Sequence, residues 1–112
     1  MSDDAEPWPA ELFCAEATGD DNDPVIVVEG DFDASGTAWF GACLAAVLQS
    51  HPTSLAIDAG GLSFMDSSGL RSMLIARAEA EEAGVRFRIT RVSPVVRRLF
   101  ERTGLKKRLL DE

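Results

Sequence analysis

Ser54-Leu55-Ala56-Ile57-Asp58-Ala59-Gly60-Gly61-Leu62-Ser63-Phe64-Met65-Asp66-Ser67-Ser68-Gly69-Leu70 is the stretch that decides the fold of this 112-residue chain. Its first five residues are a short apolar run with the length of a buried strand. Ala59-Gly60-Gly61 reads as a glycine turn, and Leu62 to Met65 as an apolar connector. From about Ser67 the spacing changes. Leu70, Met73, Leu74 and Ala78 fall on one face of a helix predicted to reach Ala83, with Gly84 placed as its left-handed cap. A strand that hands over to a helix through a polar junction is the building unit of an α/β fold.

The same alternation extends outward in both directions. Upstream, Val25-Ile26-Val27-Val28-Glu29 is a β-branched run typical of a central strand, closed by Gly30-Asp31-Phe32-Asp33. Trp39, Phe40, Cys43, Leu44, Val47 and Leu48 then form a helical stripe, which His51-Pro52 stops. Earlier still, Glu11 to Glu16 alternates loosely as a first, edge strand, and Asp20-Asp21-Asn22-Asp23-Pro24 is a polar turn. Downstream, Val85 to Val92 alternates strictly, as a strand with one wet face does. Ser93-Pro94 is a helix start with proline at the first position. Val96, Leu99, Phe100 and Thr103 share a side of that helix, Gly104 ends it, and Leu105 to Leu110 is a short amphipathic tail. Strands alternating with helices predict parallel crossovers and a mixed, mostly parallel sheet of four or five strands with helices packed on it. Residues 1–9, acidic and proline-containing, are expected to be a flexible tail, leaving 10–112 as one domain.

Composition narrows the function classes. The chain is 46% hydrophobic and 27% charged, an ordinary globular balance that needs no metal or disulfide to support a core. No apolar run is long enough to span a membrane, and the N-terminus lacks the features of a signal peptide, so the cytoplasm is the expected location. Residues 1–33 hold eleven carboxylates and no Lys or Arg, whereas all eleven basic residues lie at or after Arg71. A net charge of −8 repels phosphate backbones and argues against nucleic acid. The uneven distribution suits a protein partner with a charged patch. Cys14 and Cys43 form no CxxC and are expected to be buried, reduced thiols. His51 is the lone histidine, which excludes a His-rich metal site. There is no P-loop, no dinucleotide fingerprint and no Gly-x-Ser-x-Gly elbow, and Ser67 has no evident base. These absences argue against an enzyme.

The chemistry concentrates at the strand-to-helix junction. Asp66 or Ser67 can cap the helix, because first-turn N–H groups have no intrahelical acceptor. Two hydroxyls and a glycine at a helix start also suit a phosphate, which is expected to meet free backbone N–H groups and the positive end of the helix dipole.

Ser63-Phe64-Met65-Asp66-Ser67-Ser68-Gly69-Leu70 resembles the phosphorylation-site signature of bacterial anti-sigma factor antagonists, which are STAS domains. The preceding Leu55-Ala56-Ile57-Asp58 resembles the family's strand before the site. Glu29-Gly30-Asp31-Phe32-Asp33 sits where the family carries a Gly-Glu-hydrophobic-Asp motif, with Asp31 where glutamate is usual. Ser93 to Phe100 with Thr103-Gly104-Leu105 resembles its last helix and Gly-Leu ending. The resemblance covers about residues 24–110 and implies a single STAS-like α/β domain. It implies that Ser67 is phosphorylated, with Asp33, Asp66, Ser68 and Gly69 around it. It further implies an anti-sigma factor that is also a serine kinase as partner, with ATP bound by that partner, and a phosphatase that resets the cycle. The chain itself then carries no cofactor. Arg71, Ser72 and Ile75, off the Leu70–Leu74 stripe, are the expected partner contacts. A second class of STAS protein is a docking subunit of a transporter or stress-sensing complex, without phospho-switching.

Overall fold

The computed structural model describes residues 13–110. The expected tail and the first two residues of the expected first strand lie outside this range. β1 (Cys14–Asp20) and β2 (Asp23–Phe32) form an antiparallel hairpin. The polar cluster thus supplies only a two-residue turn, Asp21-Asn22, and both strands run into it. Asp20 Oδ1 accepts the Asn22 N–H at 2.8 Å, so a short acidic side chain closes the turn locally. A single 3-10 turn (Ala34–Gly36) leads into α1 (Thr37–Gln49). β3 (Ser54–Met65), α2 (Ser67–Glu82), β4 (Arg86–Val92), α3 (Pro94–Thr103) and α4 (Lys106–Leu110) complete the order. The sheet order is β1-β2-β3-β4, with β2, β3 and β4 mutually parallel. The described residues therefore carry the four-stranded, mostly parallel sheet that the alternation predicts.

β3 corrects the reading of Gly60-Gly61 as a turn and of Leu62 to Met65 as a connector. The strand passes straight through both and keeps pairing with β2 as far as Phe32–Met65. The glycines instead make room. A Cβ on Gly61 would lie 2.8 Å from Glu29 Cγ, and one on Gly60 would lie 3.1 Å from Arg91 Nε. Two register shifts between β2 and β3 bend this half of the sheet without ending it.

All helices pack on one face. Ile26, Val28, Phe32, Leu55, Ile57 and Ile89 from the sheet join Phe40, Met73, Val96, Phe100 and Leu109 from the four helices in one cluster. Phe32 is central to it, stacked on Phe13 at 4.3 Å and tilted against Phe40 at 5.2 Å. α4 settles the amphipathic tail, which forms a helix and packs back through fully buried Leu109. Trp39 departs from its expected place on the buried α1 stripe. It is 49% exposed and lies against the edge strand, donating its indole N–H to Ala15 O at 3.0 Å. The cysteines depart as well. Cys14 is exposed and Cys43 half-buried, and both are free thiols. Burial raises the Cys43 thiol above its usual pKa, which keeps it protonated and unreactive.

The helix ends follow the sequence signals, with one strained exception. Gly84 and Gly104 take positive φ after α2 and α3. After α1 the left-handed position falls to His51, the single non-glycine residue with positive φ among the described residues, at φ 52°. His51→Gly is expected to stabilise the fold by roughly 0.5–1 kcal/mol through relief of the Cβ clash. Thermal unfolding of the two proteins checks this, and a lower midpoint in the variant would refute it. Among the described residues no helix is long and apolar enough to cross a membrane.

Candidate functional site

Phe32 and Met65 are paired neighbours at the ends of β2 and β3, and the next residue on each strand is an aspartate. Asp33 caps the 3-10 turn, and Asp66 caps α2. The parallel pairing of β2 and β3 therefore brings two acids from distant parts of the sequence to one end of the sheet, beside the start of α2. Asp33 is tied down locally. Its Oδ1 accepts the Ser35 hydroxyl at 2.6 Å and the Ser35 N–H at 3.0 Å. Those two bonds, the hydroxyl's first, lower its pKa below the ordinary carboxylate value and hold it ionised.

Asp66, rather than Ser67, is the cap of α2. Its Oδ1 accepts Ser68 N–H at 2.9 Å and Gly69 N–H at 3.2 Å. This overturns the expectation that a phosphate here meets free N–H groups, because the Asp66 carboxylate already occupies two of them. Ser67 stands at the first helical position with an exposed side chain, and its hydroxyl makes no hydrogen bond to the described residues. Ser68 is half-buried and Gly69 is buried. The two serines thus differ physically, Ser67 being the more exposed of the pair.

Gly69 fixes how closely the helix start sits on the sheet. A Cβ there would collide with the carbonyl oxygen of Phe32 and stand 2.9 Å from Met65 Cγ. The same carbonyl accepts the Asp66 N–H at 3.3 Å. The end of β2, the cap and the serine are therefore held as one unit.

A groove of about 390 Å³ runs beside this unit between α1 and α2, lined by Phe40, Gly41 and Leu44 on one side and Ser72, Ile75 and Glu79 on the other. Ser72 and Ile75, two of the expected contact residues, fall in it, and Ile75 is 45% exposed. Arg71 is exposed on the same helix but does not line the groove. The α1 side of the groove escaped sequence reading. Gly41 lay inside an apolar helical stripe, and nothing local marked it as an opening. Phe64 was also missed as a surface residue. It read as part of an apolar plug, yet the register shift before Asp31 skips Ser63, pairs Phe64 with Asp31 and leaves it 45% exposed.

Comparison with known proteins bears on the family and the fold. The family model described as Mlab, STAS domain, matches residues 15–111. The chain belongs to the STAS domain family. An anti-sigma F factor antagonist from Lysinibacillus sphaericus is 36% identical to this STAS domain over 67 residues, 60% of this chain. That match spans 57% of the relative's own length. Among solved structures, an anti-sigma factor antagonist from Mycobacterium paratuberculosis superposes with a TM-score of 0.78 at 23% identity, covering 90% of this chain and 86% of that one. The anti-sigma factor antagonist SpoIIAA in its unphosphorylated form gives a TM-score of 0.71 at 28% identity, covering 88% and 86% of the two chains. Its phosphorylated Bacillus form gives 0.66 at 27%, covering 88% and 89%. At these similarities the STAS fold of the chain, a four-stranded mixed sheet with helices, is established.

Proposed function

We propose that this chain is an anti-sigma factor antagonist whose partner binding is switched off by phosphorylation of Ser67. The observation that carries the reading is the exposed Ser67 at the first position of α2, its hydroxyl unbonded among the described residues, beside the two capping aspartates and the α1–α2 groove. A relative named as an anti-sigma F factor antagonist, and SpoIIAA known in both phosphorylation states, support it. In this reading the unmodified protein binds an anti-sigma factor that is also a serine kinase and so frees a sigma factor. The kinase brings the ATP and transfers its γ-phosphoryl to Ser67 Oγ. A phosphatase reverses the step. Asp33, Asp66, Ser68 and Gly69 shape the site, and Arg71, Ser72 and Ile75 contribute to docking. In this reading the chain works as a binding module, and the Ser67 hydroxyl is the acceptor of a phosphoryl group that the partner delivers. It needs no cofactor and acts in the cytoplasm.

Incubation with the cognate kinase and ATP is expected to add one phosphate, and Ser67→Ala to abolish the addition. Intact-mass spectrometry reads both. Undiminished phosphorylation of the alanine variant sinks the site. A partner that binds tightly without ever phosphorylating the chain would place it instead among STAS docking subunits of transporters or stress-sensing complexes.

A further inference from the structure

Of the nine glycines in the chain, Gly19, Gly30, Gly84 and Gly104 take positive φ. At Gly36, Gly60, Gly61 and Gly69 a Cβ would stand within 3.1 Å of a neighbouring atom. Gly41 answers to neither reason. It sits exposed in the middle of α1, and a Cβ there would meet nothing within 4 Å. Glycine in mid-helix lowers stability relative to alanine. Nothing inside the chain explains why this helix carries one.

Gly41 lies on the wall of the α1–α2 groove, beside Ala45 on its own helix and across from Ser72, Ile75 and Glu79 on α2. Without a Cβ at that point, another helix can approach α1 closely. The chemistry of the groove says what kind. No Asp, Glu, Lys or Arg occurs between Asp33 and Asp58, so the α1 wall is uncharged. The open face of the sheet is different, because Glu16, Glu29, Asp31, Arg86 and Arg88 scatter both signs over it. On the α2 side Ile75 is a large apolar side chain left 45% exposed. Glu79 is the single charge lining the groove, and it makes no ion pair with the described residues. The other charges of α2 stand off the wall. Arg71 and Glu82 are exposed, and Arg77 meets Glu81 at 3.1 Å.

We infer that the groove receives an amphipathic helix of the docking partner, with its apolar stripe against Gly41 and Ile75 and one Lys or Arg against Glu79. The inference rests on the proposed anti-sigma reading and adds what the docking surface takes. A helix seated in a groove buries residues at i, i+3, i+4 and i+7. An uncharged wall disfavours any charge on that stripe, which would be buried without a partner. Glu79, one turn from Glu82, calls for a basic residue at the stripe's end and repels anionic lipid and nucleic acid. The net charge of −8 opposes a second copy of the chain.

Two synthetic helices test the groove. One carries leucine at i, i+3, i+4 and i+7 and lysine one turn beyond; the other carries glutamate in place of the lysine. Titrated into the isotope-labelled full chain, the lysine helix is expected to shift the Gly41 and Ile75 amide resonances. It is expected to bind about tenfold more tightly than the glutamate helix, and Glu79→Lys to reverse that preference. Gly41→Leu fills the opening and is expected to weaken the lysine helix about tenfold, yet to unfold at a higher temperature than wild type, so the loss is not misfolding. With the anti-sigma kinase itself, Gly41→Leu is expected to raise KM for Ser67 about tenfold and leave kcat unchanged. An unchanged KM overturns the inference and leaves the Ser67 switch standing. A kinase that never modifies Ser67 removes the switch reading, and the two helices still decide the groove. Equal binding of the two helices, shifts that avoid the groove, or a wild-type chain that dimerises through it in sedimentation each overturn the inference.

Discussion

Gly69→Ala is expected to destabilise the protein by about 3 kcal/mol, near the upper end of what overpacking one methyl costs. The added Cβ has nowhere to go. It meets a main-chain carbonyl, Phe32 O, rather than the free end of a side chain, with Phe32 Cγ 3.0 Å away as well. Relief requires α2 to lift from the sheet. That breaks the Asp66 N–H bond to the same carbonyl and disturbs the fully buried Phe32. Gly41→Ala is the internal control. A Cβ at Gly41 meets nothing within 4 Å, and in mid-helix alanine gains about 0.5–1 kcal/mol over glycine. Urea unfolding reads both as shifts of midpoint at constant slope. Equal effects at the two positions would show that the close approach of α2 to β2 is not the cause.

These two glycines also mark what the sequence made legible. Period and punctuation located the strands, the helices and the ends of α2 and α3, because each rests on local rules. Asp66-Ser67-Ser68-Gly69 was legible as a helix start for the same reason. The sequence alone did not choose between Asp66 and Ser67 as cap. That choice depends on which side chain turns towards Ser68 N–H and Gly69 N–H. Gly60-Gly61 misled because glycine pairs usually mark turns, whereas here they accommodate Glu29 and Arg91 leaning across a continuous strand. The groove and the open sheet face were illegible for a different reason. Both are made by residues from separate elements, and their shape comes from pairing registers that no single segment encodes. Cys14 was read as buried from residue type and Trp39 from its place on a helical stripe, and their positions on and against the edge strand β1 leave them exposed.

Phosphorylation of Ser67 is expected to weaken the complex with the anti-sigma partner at least tenfold, about 1.4 kcal/mol. The local geometry makes this loss mainly electrostatic. A phosphate adds roughly −1.5 to −2 charge. The donors that would otherwise draw it down onto the helix, Ser68 N–H and Gly69 N–H, are held by the Asp66 carboxylate. The phosphate therefore projects from an exposed position and adds its charge to those of Asp66 and the firmly ionised Asp33. A partner surface chosen to meet two carboxylates then meets about twice that charge. Asp66→Asn separates charge from bulk. Asparagine caps a helix about as well as aspartate, so the fold is retained, while one negative charge beside the phosphate disappears. In calorimetric titrations with the partner, phosphorylated Asp66→Asn is expected to lose clearly less affinity than phosphorylated wild type, each against its unmodified form. The difference should shrink as salt is raised. Equal losses in the two proteins, insensitive to salt, would make the switch steric. Unchanged affinity on phosphorylation of the wild type would remove the switch altogether and leave Ser67 as an exposed hydroxyl beside a helix cap.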